Sequence, residues 1–270
     1  MSAPAPIRVA MWSGPRNVST AMMRAFGARG DCAVSDEPFY AAYLAATGLD
    51  HPMREAVIAS QPTDWRAVAA AVAGPVPGGK AVWYQKHMTH HMLPSFGRDW
   101  SDACANAFLI RAPEAVLFSY AQKRPGPIGL DEIGLQAQVE LFERAADRLG
   151  HAPPVVDGRD VQADPRGVLS TLCGALGIAF DPAMLAWPPG RRDSDGVWAP
   201  AWYDEVEKST GFAPPRPEPS FDELAEALKP IAAAARPLYE RLARVKLTAA
   251  SFPGVAPLSG DLRGLPIPRS

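Results

Sequence analysis

The chain has 270 residues, 47% of them hydrophobic and 21% charged, with a formal net charge of −2 and a pI near 6.2. That length and composition suit one full-sized folded domain and exclude a disordered chain. Near-neutral charge removes any global basic field for nucleic acid or anionic membrane, so an anionic ligand has to be held by a local cluster. Three cysteines, Cys32, Cys104 and Cys173, have no metal-ligand spacing, and their sparse, odd number suits a reducing compartment. Met1 to Arg8 lack the apolar stretch of a secretory leader, and no apolar run approaches a membrane span, so a cytoplasmic protein is expected.

Short apolar runs alternate with helical patterns, which predicts an α/β fold with a mainly parallel central sheet between two helical layers. Ile7 to Met11 reads as the first strand, followed by a loop over Trp12 to Asn17. Val18, Ala21, Met22, Ala25 and Phe26 then form one face of a helix that ends at Gly27 to Gly30. Cys32 to Val34 reads as the second strand, Pro52 to Ser60 and Asp64 to Ala73 as helices, and Ala81 to Gln85 and Asn106 to Ile110 as further strands. A helix is predicted from Pro113 to about Lys123 and one long amphipathic helix from Leu130 to Leu149. Val155-Val156 is a short strand, and Asp164-Pro165 supplies an N-cap and first-turn proline for a helix to about Leu176. Pro188 to Pro219 carries seven prolines and reads as irregular. Ser220 and Glu223 form a capping box for a last helix to about Val245, which Pro230 should kink. The domain is expected to fill residues 1–250, and residues 251–270 read as a Pro/Gly-rich tail.

The most informative segment is Pro15-Arg16-Asn17-Val18-Ser19-Thr20, a loop between a strand and a helix start. Backbone N–H groups and the dipole at a helix N-terminus favour a phosphate, and Arg16, Ser19 and Thr20 add side-chain donors. The Gly-Lys-Ser/Thr ending of nucleotide triphosphatases is absent. A second anion site is suggested by Arg111 at a strand end and Ser119 eight residues later, because ligands of α/β sheets bind at the strands' carboxyl edge.

This order of motifs resembles the sulfotransferases. Their 5′-phosphosulfate loop reads approximately Pro-Lys/Arg-Ser-Gly-Ser/Thr-Thr, matched here at Pro15, Arg16, Ser19 and Thr20. Val18 replaces the loop glycine, and Ala21 stands where many members carry an adenine-stacking Trp. Arg111 and Ser119 match the residues that hold the nucleotide 3′-phosphate, and Arg191-Arg192, with Trp198 following, is similar to the late basic loop that completes that site. The resemblance implies 3′-phosphoadenosine 5′-phosphosulfate (PAPS) as donor, no metal, and transfer to a small-molecule acceptor, a hydroxyl being the expected nucleophile.

It further implies a catalytic base in Lys86-His87-Met88-Thr89-His90-His91-Met92-Leu93-Pro94, where His87 aligns with the family histidine and Lys86 is displaced by one. Metal binding by His87, His90 and His91 on one helical face is a competing reading, although no nearby Cys or carboxylate completes a tetrahedral set. Glu37, in Asp36-Glu37-Pro38-Phe39-Tyr40, is the reserve base, with Phe39, Trp198, Trp202 and Tyr203 expected around the acceptor. A small-molecule kinase and a non-catalytic nucleotide-binding regulator are the rival functions. Alcohol, phenol, amine and glycan acceptors stay open, and no feature specifies an oligomeric state.

Overall fold

A computed structural model of the chain describes residues 5–123 and 126–248. The expected tail over residues 251–270 lies outside the described residues. Five strands, β1 (Ile7–Ser13), β2 (Cys32–Asp36), β3 (Val82–Met88), β4 (Ala105–Ile110) and β5 (Val155–Asp157), form one sheet in the order β2-β3-β1-β4-β5. Every pairing is parallel. All carboxyl ends therefore lie along one edge, and the crossovers run in opposite directions from β1, which opens a crevice beyond it.

The sheet is covered on both faces, so its strands are apolar on both. On one face Val9 and Met11 of β1 pack with Val82 and Tyr84 of β3 and with Met22, Met23 and Phe26 of helix α1 (Ser19–Gly27). Ala10 and Trp12 point to the other face, among Phe108, Val68, Val139 and Phe142. Helices α2 (Tyr40–Thr47), α3 (Arg54–Ser60) and α4 (Trp65–Ala73) follow β2, and α5 (Pro113–Ala121) follows β4. Helices α6 (Leu130–Ile133) and α7 (Leu135–Leu149) precede β5, with α8 (Gly158–Ala163) and α9 (Pro165–Ala175) after it. Two short helices, α10 (Ala199–Trp202) and α11 (Asp204–Lys208), interrupt the proline-rich segment, and α12 (Lys229–Ala243) closes the domain. Among the described residues no helix is long and apolar enough to cross a membrane.

The structure departs from the predicted elements at several points, among them a strand β3 that runs on to Met88. The 130–149 helix breaks at Gly134, whose φ of 70° is a left-handed conformation that favours glycine. A Cβ there would lie 2.4 Å from Thr89 Oγ1, so the break lets this chain segment press against the turn after β3. The Ser220–Glu223 capping box opens only a 3₁₀ turn, and α12 starts at Lys229 with Pro230 in its first turn, where it causes no kink. Helix α2 was not anticipated: its sequence, Tyr-Ala-Ala-Tyr-Leu-Ala-Ala-Thr, is apolar nearly all round and has no polar face to give a period.

Candidate active site

A cleft of about 270 Å³ lies at the carboxyl edge of the sheet, and its wall includes Pro15, Arg16, Asn17, Val18, Ser19 and Thr20. The first intrahelical bond of α1 runs from Met22 N to Val18 O at 2.9 Å, and no side chain caps the helix. The N–H groups of Ser19, Thr20 and Ala21 precede that bond and belong to the unpaired first turn of a helix, which is an anion-binding geometry. The left-handed residue of the loop is Arg16, with φ 54°, so Val18 does not need a glycine's freedom. Asn17 buttresses the turn: its Nδ2 donates to Leu109 O at 3.1 Å and its Oδ1 accepts from Val18 N at 2.9 Å. Gly158 leaves room for this, since a Cβ there would fall 2.4 Å from Asn17 Oδ1.

The second motif meets the first. Arg16 Nε donates to Ser119 Oγ at 3.0 Å, and Arg111 Nη1 donates to Arg16 O at 2.7 Å. Arg111 and Ser119 both line the cleft. Burial, followed by the nearby charge of Arg111, lowers the Arg16 pKa from its ordinary value. Two guanidinium groups held this close favour an anion between or beside them. Glu218 provides part of that charge, 3.4 Å from Arg111 Nε.

The far end of the cleft is organised around Lys86, which is 1% exposed. Its Nζ donates to Asp36 Oδ1 at 2.9 Å, Glu37 Oε1 at 2.6 Å and Tyr203 OH at 2.6 Å, using all three protons. Asp36 Oδ2 accepts from Gly196 N at 3.0 Å, and Trp198 Nε1 donates to Tyr203 OH at 3.1 Å. The two carboxylates hold Lys86 well above its ordinary pKa despite the cost of burial. Burial raises the pKa of Glu37, opposed by Lys86 and reinforced by Asp36. Glu37 has φ 43° at the end of β2 and lines the cleft with Tyr40, His51, His90, His91, Trp202 and Tyr203.

Several anticipated residues stand elsewhere. His87 is 2% exposed and sits on the opposite face of β3 from the cleft, stacked on Trp12 at 4.7 Å and beside Phe39 and Trp100. Its Nε2 meets Gln85 Oε1 at 3.0 Å, and burial lowers its pKa to about 3. It is a core residue, not a base in this cleft. The reason is strand alternation: β3 continues through Met88, so Lys86 and Met88 face the cleft and His87 faces away. The same alternation separates His87 from His90 and His91, so the three do not share a face.

Phe39 is also core, stacked on Trp100 at 5.1 Å. Trp198 is 1% exposed and supports Tyr203 from behind without lining the cleft. Arg191 and Arg192 are absent from the wall; Arg192 N bonds Asp195 Oδ2 at 2.8 Å and its guanidinium bonds Pro188 O, which makes this a turn. Trp202 and Tyr203 do line the cleft. Asp36, Lys86, Tyr40 and His51 carry no site role in the sequence, although Asp36 and Lys86 flank residues that do, and His91 enters there only as a possible metal ligand.

The chain is a parallel α/β protein with an uncapped helix N-terminus and paired arginines at the carboxyl edge of its sheet, a geometry suited to an anion. A family model described as "Sulfotransferase domain" matches residues 7–244, and the chain belongs to that family, an enzyme family of sulfuryl transfer. Two Arabidopsis thaliana proteins named branched-chain-amino-acid aminotransferase-like protein 1 and 2 are 37% and 34% identical to it over 208 residues. The match covers 77% of this chain, which spans 37% and 36% of the length of those relatives. Among solved structures, the chain is similar to the sulfotransferase domain from the curacin biosynthetic pathway. The TM-score is 0.49 at 16% identity, covering 86% of this chain and 98% of that one.

Proposed function

We propose that this sulfotransferase uses PAPS as donor, transfers its sulfuryl group to a small acceptor without a metal, and takes the acceptor proton on Glu37. The observation that carries this reading is the contact between the two anion motifs, Arg16 with Ser119 and Arg111 with Arg16 O, in the same cleft as Glu37. The loop amides with Arg16, Ser19 and Thr20 suit the 5′-phosphosulfate, and Arg111 with Ser119 suits the 3′-phosphate. Arg16 then faces the charge that develops on the bridging oxygen as the S–O bond breaks. Glu37 replaces His87 as base because it lines the cleft, has one oxygen engaged by Lys86, and is held above the ordinary carboxylate pKa by burial. A kinase is disfavoured by the loop, which lacks the Gly-Lys-Ser/Thr ending.

Calorimetry with adenosine 3′,5′-bisphosphate and AMP tests the donor assignment. Tighter binding of the bisphosphate is expected; equal affinity contradicts it.

A further inference from the structure

Glu37 and His91 reach the cleft from different elements and stop short of each other. Glu37 Oε1 accepts from Lys86, which leaves Oε2 facing His91 Nε2 at 3.9 Å. That separation is too long for a hydrogen bond, and an oxygen atom set to one side of the line joining the two can lie at hydrogen-bond distance from each. The gap is held on both sides. His91, 2% exposed, is sandwiched between Tyr40 (4.6 Å, 14°) and Tyr43 (4.8 Å, 27°), so its ring plane is fixed. Glu37 is fixed by its left-handed backbone and by Lys86, which Asp36 and Tyr203 hold in turn. Both Glu37 and His91 line the cleft.

We propose that Glu37 Oε2 and His91 Nε2 clamp the acceptor oxygen, making His91 a second catalytic residue, and that the clamp selects a hydroxyl over an amine of the same skeleton. This rests on the sulfuryl-transfer reading of the cleft. Burial, then repulsion from His90, His51, Lys86 and His87, keeps the His91 pKa well below its ordinary value, so the ring is neutral and carries one N–H. Attraction to the Glu37 carboxylate places that proton on Nε2, while Nδ1 is enclosed without a hydrogen-bond partner.

A hydroxyl in the gap donates to Glu37 Oε2 and accepts from His91 Nε2–H through one lone pair. Its second lone pair is free to attack sulfur. A neutral amine has a single lone pair, which the N–H would occupy, and an ammonium ion has none. In the transfer, the acceptor oxygen forms the new S–O bond as the bond from sulfur to the donor's bridging oxygen breaks. That electron pair leaves on the phosphate, and the hydroxyl proton passes to Glu37 Oε2. The products are a sulfate monoester and adenosine 3′,5′-bisphosphate.

The test uses the full chain with His91→Phe, which keeps the ring stack and removes the N–H, and His91→Gln, which returns an N–H near the same place. Single-turnover rates are read with PAPS and the matched probes cyclohexanol and cyclohexylamine. Wild type should favour the alcohol, and His91→Phe should slow transfer to it by about two- to tenfold, the effect of one lost hydrogen bond. The amine rate should change far less, and His91→Gln should recover the alcohol preference. An equal loss for both probes, no loss, or a wild-type rate as fast with the amine as with the alcohol overturns the clamp.

Nitrogen-15 NMR of histidine-labelled protein supplies a readout free of turnover: His91 should be neutral and protonated at Nε2 at pH 7. An Nδ1–H tautomer or a protonated ring overturns the proposal. Calorimetry with adenosine 3′,5′-bisphosphate on the same samples reports on the donor reading alone, so failure of that reading is seen separately.

Discussion

Arg16 Nε donates to Ser119 Oγ across 3.0 Å, joining the loop after the first strand to the helix after the fourth. The contact matters because each partner belongs to a different anion motif, and Arg111 closes the set by donating to Arg16 O. One ligand bearing two separated anionic groups is the simplest molecule that satisfies both motifs.

Arg111→Ala should remove the preference for adenosine 3′,5′-bisphosphate over AMP while leaving the fold intact. A charge-assisted hydrogen bond contributes about 1.5–3 kcal/mol, so the bisphosphate should weaken roughly tenfold or more and AMP little. Calorimetry with both nucleotides checks this. The Glu218 carboxylate near Arg111 adds a second expectation: Glu218→Gln should strengthen bisphosphate binding by removing a competing anion.

Arg16→Ala should lower kcat more than it weakens binding of the desulfated nucleotide, because negative charge on the bridging oxygen grows as the bond to sulfur breaks. Steady-state kinetics beside nucleotide calorimetry separates the two effects. Unchanged kcat with a raised KM would make Arg16 a ground-state anchor.

His87→Ala should destabilise the fold by about 2–5 kcal/mol, the range for emptying a large buried site, and should leave the chemistry of the folded fraction largely intact. The buried histidines also set an acid limit on stability. His87 and His90 have an ordinary pKa of 6.5 and folded values of about 3, so the unfolded chain binds more protons between those values. Stability contributed by these neutral rings is fully present above pH 6.5 and is lost as pH falls toward 3. Denaturant melts from pH 7 to 4 should show that slope, and His87→Phe should reduce it.

Rate should rise with pH through a carboxylate pKa displaced above the ordinary Glu range, because Glu37 must be ionised to accept a proton and burial raises its pKa. Asp36 pushes in the same direction. Asp36→Asn should therefore move the acidic limb to lower pH, and a pH–rate profile of that variant checks it. A limb centred at an unperturbed imidazole pKa would instead point to a histidine base.

The loop wall of the cleft was legible because it is local: a strand, a loop and a helix start place Pro15 to Thr20 together whatever the rest of the chain does. Arg111 and Ser119 were legible for the same reason, one at a strand end and one on the helix that follows. The other end of the cleft is not legible at β3. Matching on histidine ignored the two-residue period of a strand that runs to Met88, and so chose His87 over its neighbour Lys86. Glu37 and Tyr203 were both expected near the acceptor, but the contact of Tyr203 with Asp36 joins residues 167 apart in the chain and carries no local signal. Adjacent charges at Arg191 and Arg192 looked like a ligand site but form a turn, a distinction made only by where the proline-rich segment folds.

In the proposed transfer the acceptor proton goes to Glu37 and not to His87. Single-turnover decay of radiolabelled PAPS with cyclohexanol, compared between Glu37→Gln and His87→Phe, tests it most directly. Glu37→Gln should bind adenosine 3′,5′-bisphosphate normally and lose transfer by about 10²–10⁴-fold, while His87→Phe should stay within severalfold of wild type. The reverse ranking, with His87→Phe inactive and Glu37→Gln near normal, would contradict it.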